Sequence, residues 1–217
     1  MENYIDLRNN KDYEKLREPA QIIKNGGIVV FPTETVYGIG VNGLDDKAVK
    51  KLYKVKKRPM DNPISLLVDS VQMIESVAKN ITQEEYALIQ AFMPGPLTII
   101  LQKKDIVPNV VTADLDTVGI RMPENDIALK LIQYVGYPIA TPSANISGKQ
   151  SGICMKDIMK DFANCVNYYI DEGNSKIGKP STIVKIVDKK PYILRKGDIS
   201  KKQIIDVLKQ IWRRKEY

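Results

Sequence analysis

The 217-residue sequence predicts an α/β fold built on a twisted, mixed β-sheet. Three observations predict it. Segments with helical spacing of apolar residues alternate with short apolar runs of strand length. A composition of 43% hydrophobic and 27% charged residues is ordinary for a globular chain that can bury one sizeable core. Three strand-like runs, in FPTET, VGIRMP and IATPSANISG, pass directly into polar clusters. In open α/β sheets, ligands sit in the crevice beyond such strand ends.

Leu16, Ala20 and Ile23 share one face of a helix that stops at Gly26-Gly27, and a strand follows at 28–31. Asp45 or Asp46 caps a helix carrying Val49, Leu52, Tyr53 and Val55, which must end before Pro59. A strand at 64–68 and a helix near 71–78 come next. Thr82-x-x-Glu85 is a capping box opening a helix that stops at Pro94. Strands are predicted at 97–101, 118–121 and 138–141, with a helix at 126–135 between the last two. Further strands at 166–170, 182–187 and 192–194 precede a terminal helix from Ser200, with Ile204, Ile205, Leu208 and Ile211 facing the core. No repeat or linker interrupts the series, so one domain over 1–217 is expected, with its C-terminal helix at about 200–213.

Composition excludes much chemistry. No histidine occurs, which removes histidine-based triads, HExxH zinc sites and every histidine general base. Cys154 and Cys165 fit neither a zinc motif nor a redox pair. The net charge of +7 favours anionic partners, although lysines scattered over the surface give the same total. No apolar run approaches a membrane span, and MENYIDLRNNKDYEK is polar where a signal peptide is apolar. The expectation is a soluble, cytoplasmic protein with no membrane contact.

FPTETVYGIG, residues 31–40, carries more polar chemistry than a turn needs. Gly38-x-Gly40-x-x-Gly43 formally matches a dinucleotide fingerprint. Six residues, Pro32 to Tyr37, separate its first glycine from the strand, however, and the next strand, at 64–68, is preceded by a basic loop. Glycines that permit a tight loop explain it better. KVKKRPMDNP, residues 54–63, reads as a lysine-rich helix end suited to the macrodipole or as a proline-restricted loop. Such a loop can hold Lys56 and Arg58 over a polyphosphate. TPSANISG, residues 141–148, offers hydroxyl and amide groups that shape a turn or meet anionic oxygens. Arg121, Arg195 and Ser181-Thr182 extend the polar set at strand ends.

Taken in order, FPTETVYGIG, KKRPMDNP, PGPLTIIL, VGIRMP, TPSANISG, STIVK and ILRKGDI resemble the signatures of the YrdC/TsaC threonylcarbamoyl-AMP synthases. The resemblance covers about residues 13–197, the expected core. It implies a twisted mixed sheet flanked by helices around a large concave basic cleft. The implied reaction joins L-threonine, bicarbonate and ATP into L-threonylcarbamoyl-AMP and pyrophosphate, the first step of threonylcarbamoyladenosine modification of tRNA. A separate transferase would take the product.

On this resemblance Lys56 and Arg58 are the catalytic cations. Thr35, Leu67, Arg121, Thr141 and Ser181 form the threonine end. Lys56, Arg58, Asn62, Thr117, Ser143, Asn145, Ser151 and Arg195 form the ATP end. Magnesium comes with ATP rather than from protein side chains, and no tightly bound organic cofactor is implied. Thr35 is assigned over Thr33, and Glu34 and Tyr37 brace the wall they share. Leu67 stands where many family members have a histidine. Ending after one helix and WRRKEY, the chain resembles the short, single-domain form of the family. The competing readings are a paralogue of different activity, a carbamoyl-transfer module, and a non-enzymatic protein that binds tRNA or double-stranded RNA. Only 7% of residues are aromatic, which gives a pure RNA binder few stacking platforms.

Overall fold

In the computed structural model, which describes residues 3–149, 154–163 and 165–213, β1 (Tyr4–Asp6) precedes a 3-10 turn (Tyr13–Leu16) and α1 (Arg17–Lys24). Leu16, Ala20 and Ile23 are buried, as their spacing requires. β2 (Val29–Phe31) and β3 (Gly38–Asn42) pair antiparallel around the 32–37 loop. The Asp45 side chain caps α2 (Asp46–Lys56), accepting the amides of Lys47 and Ala48 at 2.9 and 3.2 Å. β4 (Leu66–Leu67), α3 (Val71–Val77) and β5 (Ala78–Lys79) follow, and the Thr82/Glu85 capping box opens α4 (Gln83–Phe92).

The remaining elements are β6 (Leu97–Lys103), α5 (Asn109–Thr112), β7 (Thr117–Arg121), α6 (Asp126–Val135), β8 (Ile139–Ala140), α7 (Met155–Phe162), β9 (Tyr168–Asp171), β10 (Thr182–Val187), β11 (Lys190–Arg195) and α8 (Lys201–Arg213). Among the described residues, eleven strands join one sheet in the order β1-β9-β2-β3-β8-β4-β7-β6-β10-β11, with β5 paired to β6. β1/β9, β9/β2, β4/β7 and β6/β10 are parallel, and the other pairs are antiparallel, so the sheet is mixed. Among the described residues no helix is long and apolar enough to cross a membrane.

Alternation along each strand sends apolar side chains to two cores. On one face α1 and α6 pack over Val29, Phe31, Ile139 and Ile170. On the other, α2, α3, α4, α5, α7 and α8 pack over Val30, Ile39, Leu66, Ile99 and Ile120. Burying each large aliphatic side chain contributes about 1.5–3 kcal/mol, so both faces hold the sheet strongly. The α1/α6 layer stops short of β7, β6 and β10. There the same face presents Thr98, Ile100, Gly119, Arg121 and Ile183 to an open cleft.

Four elements had no clear signal in the sequence: β1, β5, α5 and α7. β1 extends the sheet ahead of residue 13. GIGVN is a strand and not the tight loop expected of its glycines. A Cβ on Gly38 would stand 2.5 Å from Thr141 Cγ2, and one on Gly40 2.6 Å from Ile139 Cγ2. These glycines therefore make room for a neighbouring strand; neither has a positive φ. The ladder at 64–68 shrinks to Leu66–Leu67 and that at 138–141 to Ile139–Ala140. In α8, Ile204 and Leu208 are buried, while Ile205 is half-buried beside β11.

Candidate active site

The cleft on the open sheet face encloses about 530 Å³. Its wall begins in the 32–37 loop, whose shape is set by Thr33. The Thr33 hydroxyl donates to the Val36 carbonyl at 2.6 Å and lies 2.9 Å from Thr35 Oγ1. Thr33 thus closes a turn of the kind hydroxyl residues favour, and Thr35 lines the cleft. Tyr37 ties the loop to the end of β9. Its hydroxyl lies 2.6 Å from the Gly173 carbonyl and 3.0 Å from Asp171 Oδ1, and accepts the Glu172 amide at 3.0 Å. Burial raises the Tyr37 pKa, so the phenol stays protonated.

Arg121 ends β7 and lines the cleft beside Leu67, its register partner on β4. Behind it, Glu34 Oε2 comes within 2.6 Å of Arg121 Nη2, both side chains being almost fully buried. Arg121 Nε donates to the Gly95 carbonyl at 3.2 Å, so the guanidinium is held from two sides. Arg195, at the end of β11, donates from Nε to the Ser181 carbonyl and from Nη2 to Ser181 Oγ, both at 3.0 Å. Ser181 Oγ and Thr98 Oγ1, both buried, are 2.7 Å apart, so the chain of three side chains runs from the exposed Arg195 into the sheet.

Arg58 approaches from the 57–63 loop. Lys57, at φ +51°, turns the chain out of α2. Arg58 Nε then donates to the Asn62 carbonyl at 2.9 Å and Nη2 to the Pro63 carbonyl at 2.8 Å. The Tyr53 hydroxyl donates to the same Asn62 carbonyl at 2.9 Å. Burial lowers the pKa of Arg58, and burial followed by the fields of Arg121 and Arg58 lowers that of Arg195. Three guanidiniums therefore crowd one cleft with no carboxylate among its described lining residues. The arrangement suits a ligand with several negative charges.

Thr35, Leu67, Arg121, Thr141 and Ser181, expected at one end of the site, all line the cleft, as do Arg58, Asn62, Ser143 and Arg195 from the other end. Lys56 and Asn145 do not line it; both are buried against the 143–149 loop. Thr117 shares the sheet face of Gly119 and Arg121 but lies about 7 Å further along β7 than Gly119, outside the lining. Ser151 lies outside the described residues. Sequence reasoning passed over Ser65, Thr98 and Gly119, which line the cleft. The alternation of Thr98 and Ile100 against Leu97, Ile99 and Leu101 was the available signal for Thr98.

A larger groove of about 840 Å³ lies between β11 and α8. Tyr192, Ile193, Ile205 and Trp212 give it an apolar wall, and it gathers none of the residues after β2, β7 or β8. Convergent polar groups mark a site better than volume does, so the smaller cleft is the candidate.

The family described as telomere recombination, comprising Sua5, YciO and YrdC, matches residues 21–197. The chain belongs to this family. It is 43% identical over 207 residues to a threonylcarbamoyl-AMP synthase of Pyrococcus abyssi, covering 95% of this chain and 61% of the relative. Against a threonylcarbamoyl-AMP synthase of Bacillus subtilis it is 40% identical over 195 residues, covering 89% of this chain and 56% of the relative. The chain thus spans about 60% of the length of these curated relatives. The structure of P. abyssi Sua5 complexed with L-threonine superimposes with a TM-score of 0.91 at 43% identity, covering 94% of this chain and 60% of that one. The mixed sheet and its flanking helices are therefore those of the Sua5/YciO/YrdC family, and the strand-end motifs fall within the matched span.

Proposed function

We propose that the chain is an L-threonylcarbamoyladenylate synthase. The observation that carries this reading is the convergence of Arg58, Arg121 and Arg195 with strand-end hydroxyls in a cleft with no carboxylate among its described lining residues. The setting is a fold shared with a relative whose structure holds L-threonine. The threonine amine adds to bicarbonate, releasing water and forming a carbamate. A carbamate oxygen then attacks the α-phosphorus of ATP, and pyrophosphate leaves. The attacking group is already an anion, so no histidine base is needed. The obstacle is repulsion between the carbamate and the phosphates, and fixed cations offset it without reorganising.

In this reading the threonine end is formed by Thr35, Leu67, Arg121, Thr141 and Ser181. Arg121, fixed by Glu34 at Nη2 and by the Gly95 carbonyl at Nε, supplies a rigid cation beside the threonine carboxylate. Arg58, Asn62, Ser143 and Arg195 line the nucleotide end, and magnesium enters as part of the ATP substrate. Leu67 gives the threonine methyl an apolar neighbour. The mixed anhydride product hydrolyses readily, which calls for a separate transferase acting on a tRNA adenosine.

Pyrophosphate release from ATP with magnesium and bicarbonate tests the proposal. Release should require L-threonine, should fall at least about tenfold with L-serine, which lacks the methyl facing Leu67, and should be lost in Arg58→Ala. Release independent of the amino acid would contradict it.

A further inference from the structure

We infer that Lys56 is a positioning residue that holds the 143–149 loop by its carbonyls and does not touch the nucleotide, an assignment that rests on the cleft being the nucleotide site. Lys56 is the last residue of α2 and only 1% exposed. Its ammonium donates to the Ser143 carbonyl at 2.6 Å and to the Asn145 carbonyl. Its own carbonyl accepts the Ser147 amide at 2.9 Å. The Phe162 ring centre lies 5.9 Å from Nζ, on the side of α7. One residue thus makes three bonds to a loop almost ninety positions away in the chain.

Asn145 completes the loop from within. Its Nδ2 donates to the carbonyls of Ile146 and Lys149 at 2.9 and 2.8 Å, and its Oδ1 accepts the Ser143 hydroxyl at 2.5 Å. A wall that receives phosphates must show donors, because peptide carbonyls carry partial negative charge and repel an anion. Lys56 and Asn145 bind four carbonyls of this loop between them, while Pro142 and Ser143 remain on the cleft wall. Arg58 and Ser143 thus face the cleft, and Lys56 and Asn145 shape the surface that Ser143 presents.

Hydrogen exchange of the ligand-free protein, paired with binding of a non-hydrolysable ATP analogue over a range of salt concentrations, tests this without requiring turnover. A silent synthase assay therefore leaves the test intact. Lys56→Met keeps the stem and removes the donors. It should speed exchange of the Ala144, Asn145 and Ser147 amides at least about tenfold in the free protein. It should also weaken the analogue while leaving the salt dependence of its binding unchanged, since no facing charge is lost. Lys56→Gln, uncharged but able to donate, should recover part of both. Should Lys56→Met fail to fold, the Gln variant carries the same contrast. Unchanged exchange with weakened binding and a flatter salt dependence would place the ammonium against the phosphates and overturn the assignment. Unchanged exchange and unchanged binding would overturn it as well.

Discussion

Glu34 and Arg121 meet at 2.6 Å with almost no solvent on either side chain, so neither charge can be removed cheaply. Breaking a buried ion pair from one side leaves the other charge uncompensated and costs about 3–5 kcal/mol, whereas replacing both partners with apolar residues is often near neutral. Glu34→Gln should therefore lower the unfolding free energy in urea by about 3 kcal/mol. The double variant Glu34→Met with Arg121→Met should recover most of that stability and no activity. The contrast separates what the pair does for the fold from what Arg121 does in the cleft.

Lys56 gives a pH signature. Burial first, and Arg58 second, push its pKa down from 10.5 to about 7. The groups facing its ammonium are Arg58, the Ser143 and Asn145 carbonyls and the Phe162 ring. Between about pH 7 and 10 the unfolded chain holds the proton that the folded chain has released, so stability gains a positive slope with pH. The burial penalty is full below about pH 7 and fades as pH rises toward 10. Urea unfolding of wild type against Lys56→Met across pH 6–10 should show the wild type gaining on the variant above pH 7. These residues were only partly legible in the sequence. Types and order marked Arg58, Arg121 and Arg195, but nothing local told Thr33 from Thr35 or lining from bracing. Those distinctions depend on which way a side chain turns in a packed loop.

At the scale of elements, the open cleft exists because the α1/α6 layer ends before β7, β6 and β10, leaving one face uncovered. Capping and periodicity made α1, α2, α4, α6 and α8 readable. β1 and β5 are held by pairing across the chain, which short sequence windows do not record. The glycines of β3 misled because a glycine needed for close approach looks the same in sequence as one needed for a turn.

The segment after β11, where it packs against the start of β10, has a comparable constraint. A Cβ on Gly197 would stand 2.3 Å from the Thr182 amide nitrogen and 2.5 Å from the Pro180 carbonyl oxygen, both backbone atoms that cannot rotate away. Gly197→Ala should destabilise the protein by about 2 kcal/mol, a fall in Tm of about 4–8 °C for a chain of this size. It should also weaken the threonine-dependent turnover proposed for this chain, because Ser181 and Arg195 flank the displaced segment. Thermal unfolding and the pyrophosphate assay together check both expectations.

For the whole molecule, charge and concavity act together. A cleft lined by three guanidiniums, with no carboxylate among its described lining residues, concentrates anions from solution, and the half-buried position of Arg58 keeps its field from being fully screened. The alternation of elements and the polar strand ends were enough to predict this architecture. The convergence of those ends on one face appears only once the sheet is ordered, with β7 beside β6 and β4. The chain spans about 60% of the P. abyssi and B. subtilis relatives, so its own activity must be measured on this chain. The most direct measurement supplies 13C-labelled bicarbonate with ATP, magnesium and L-threonine and identifies the nucleotide product by mass. Label in a threonylcarbamoyl-AMP species is the predicted result. A nucleotide product without the label, or one formed equally without threonine, would contradict the account.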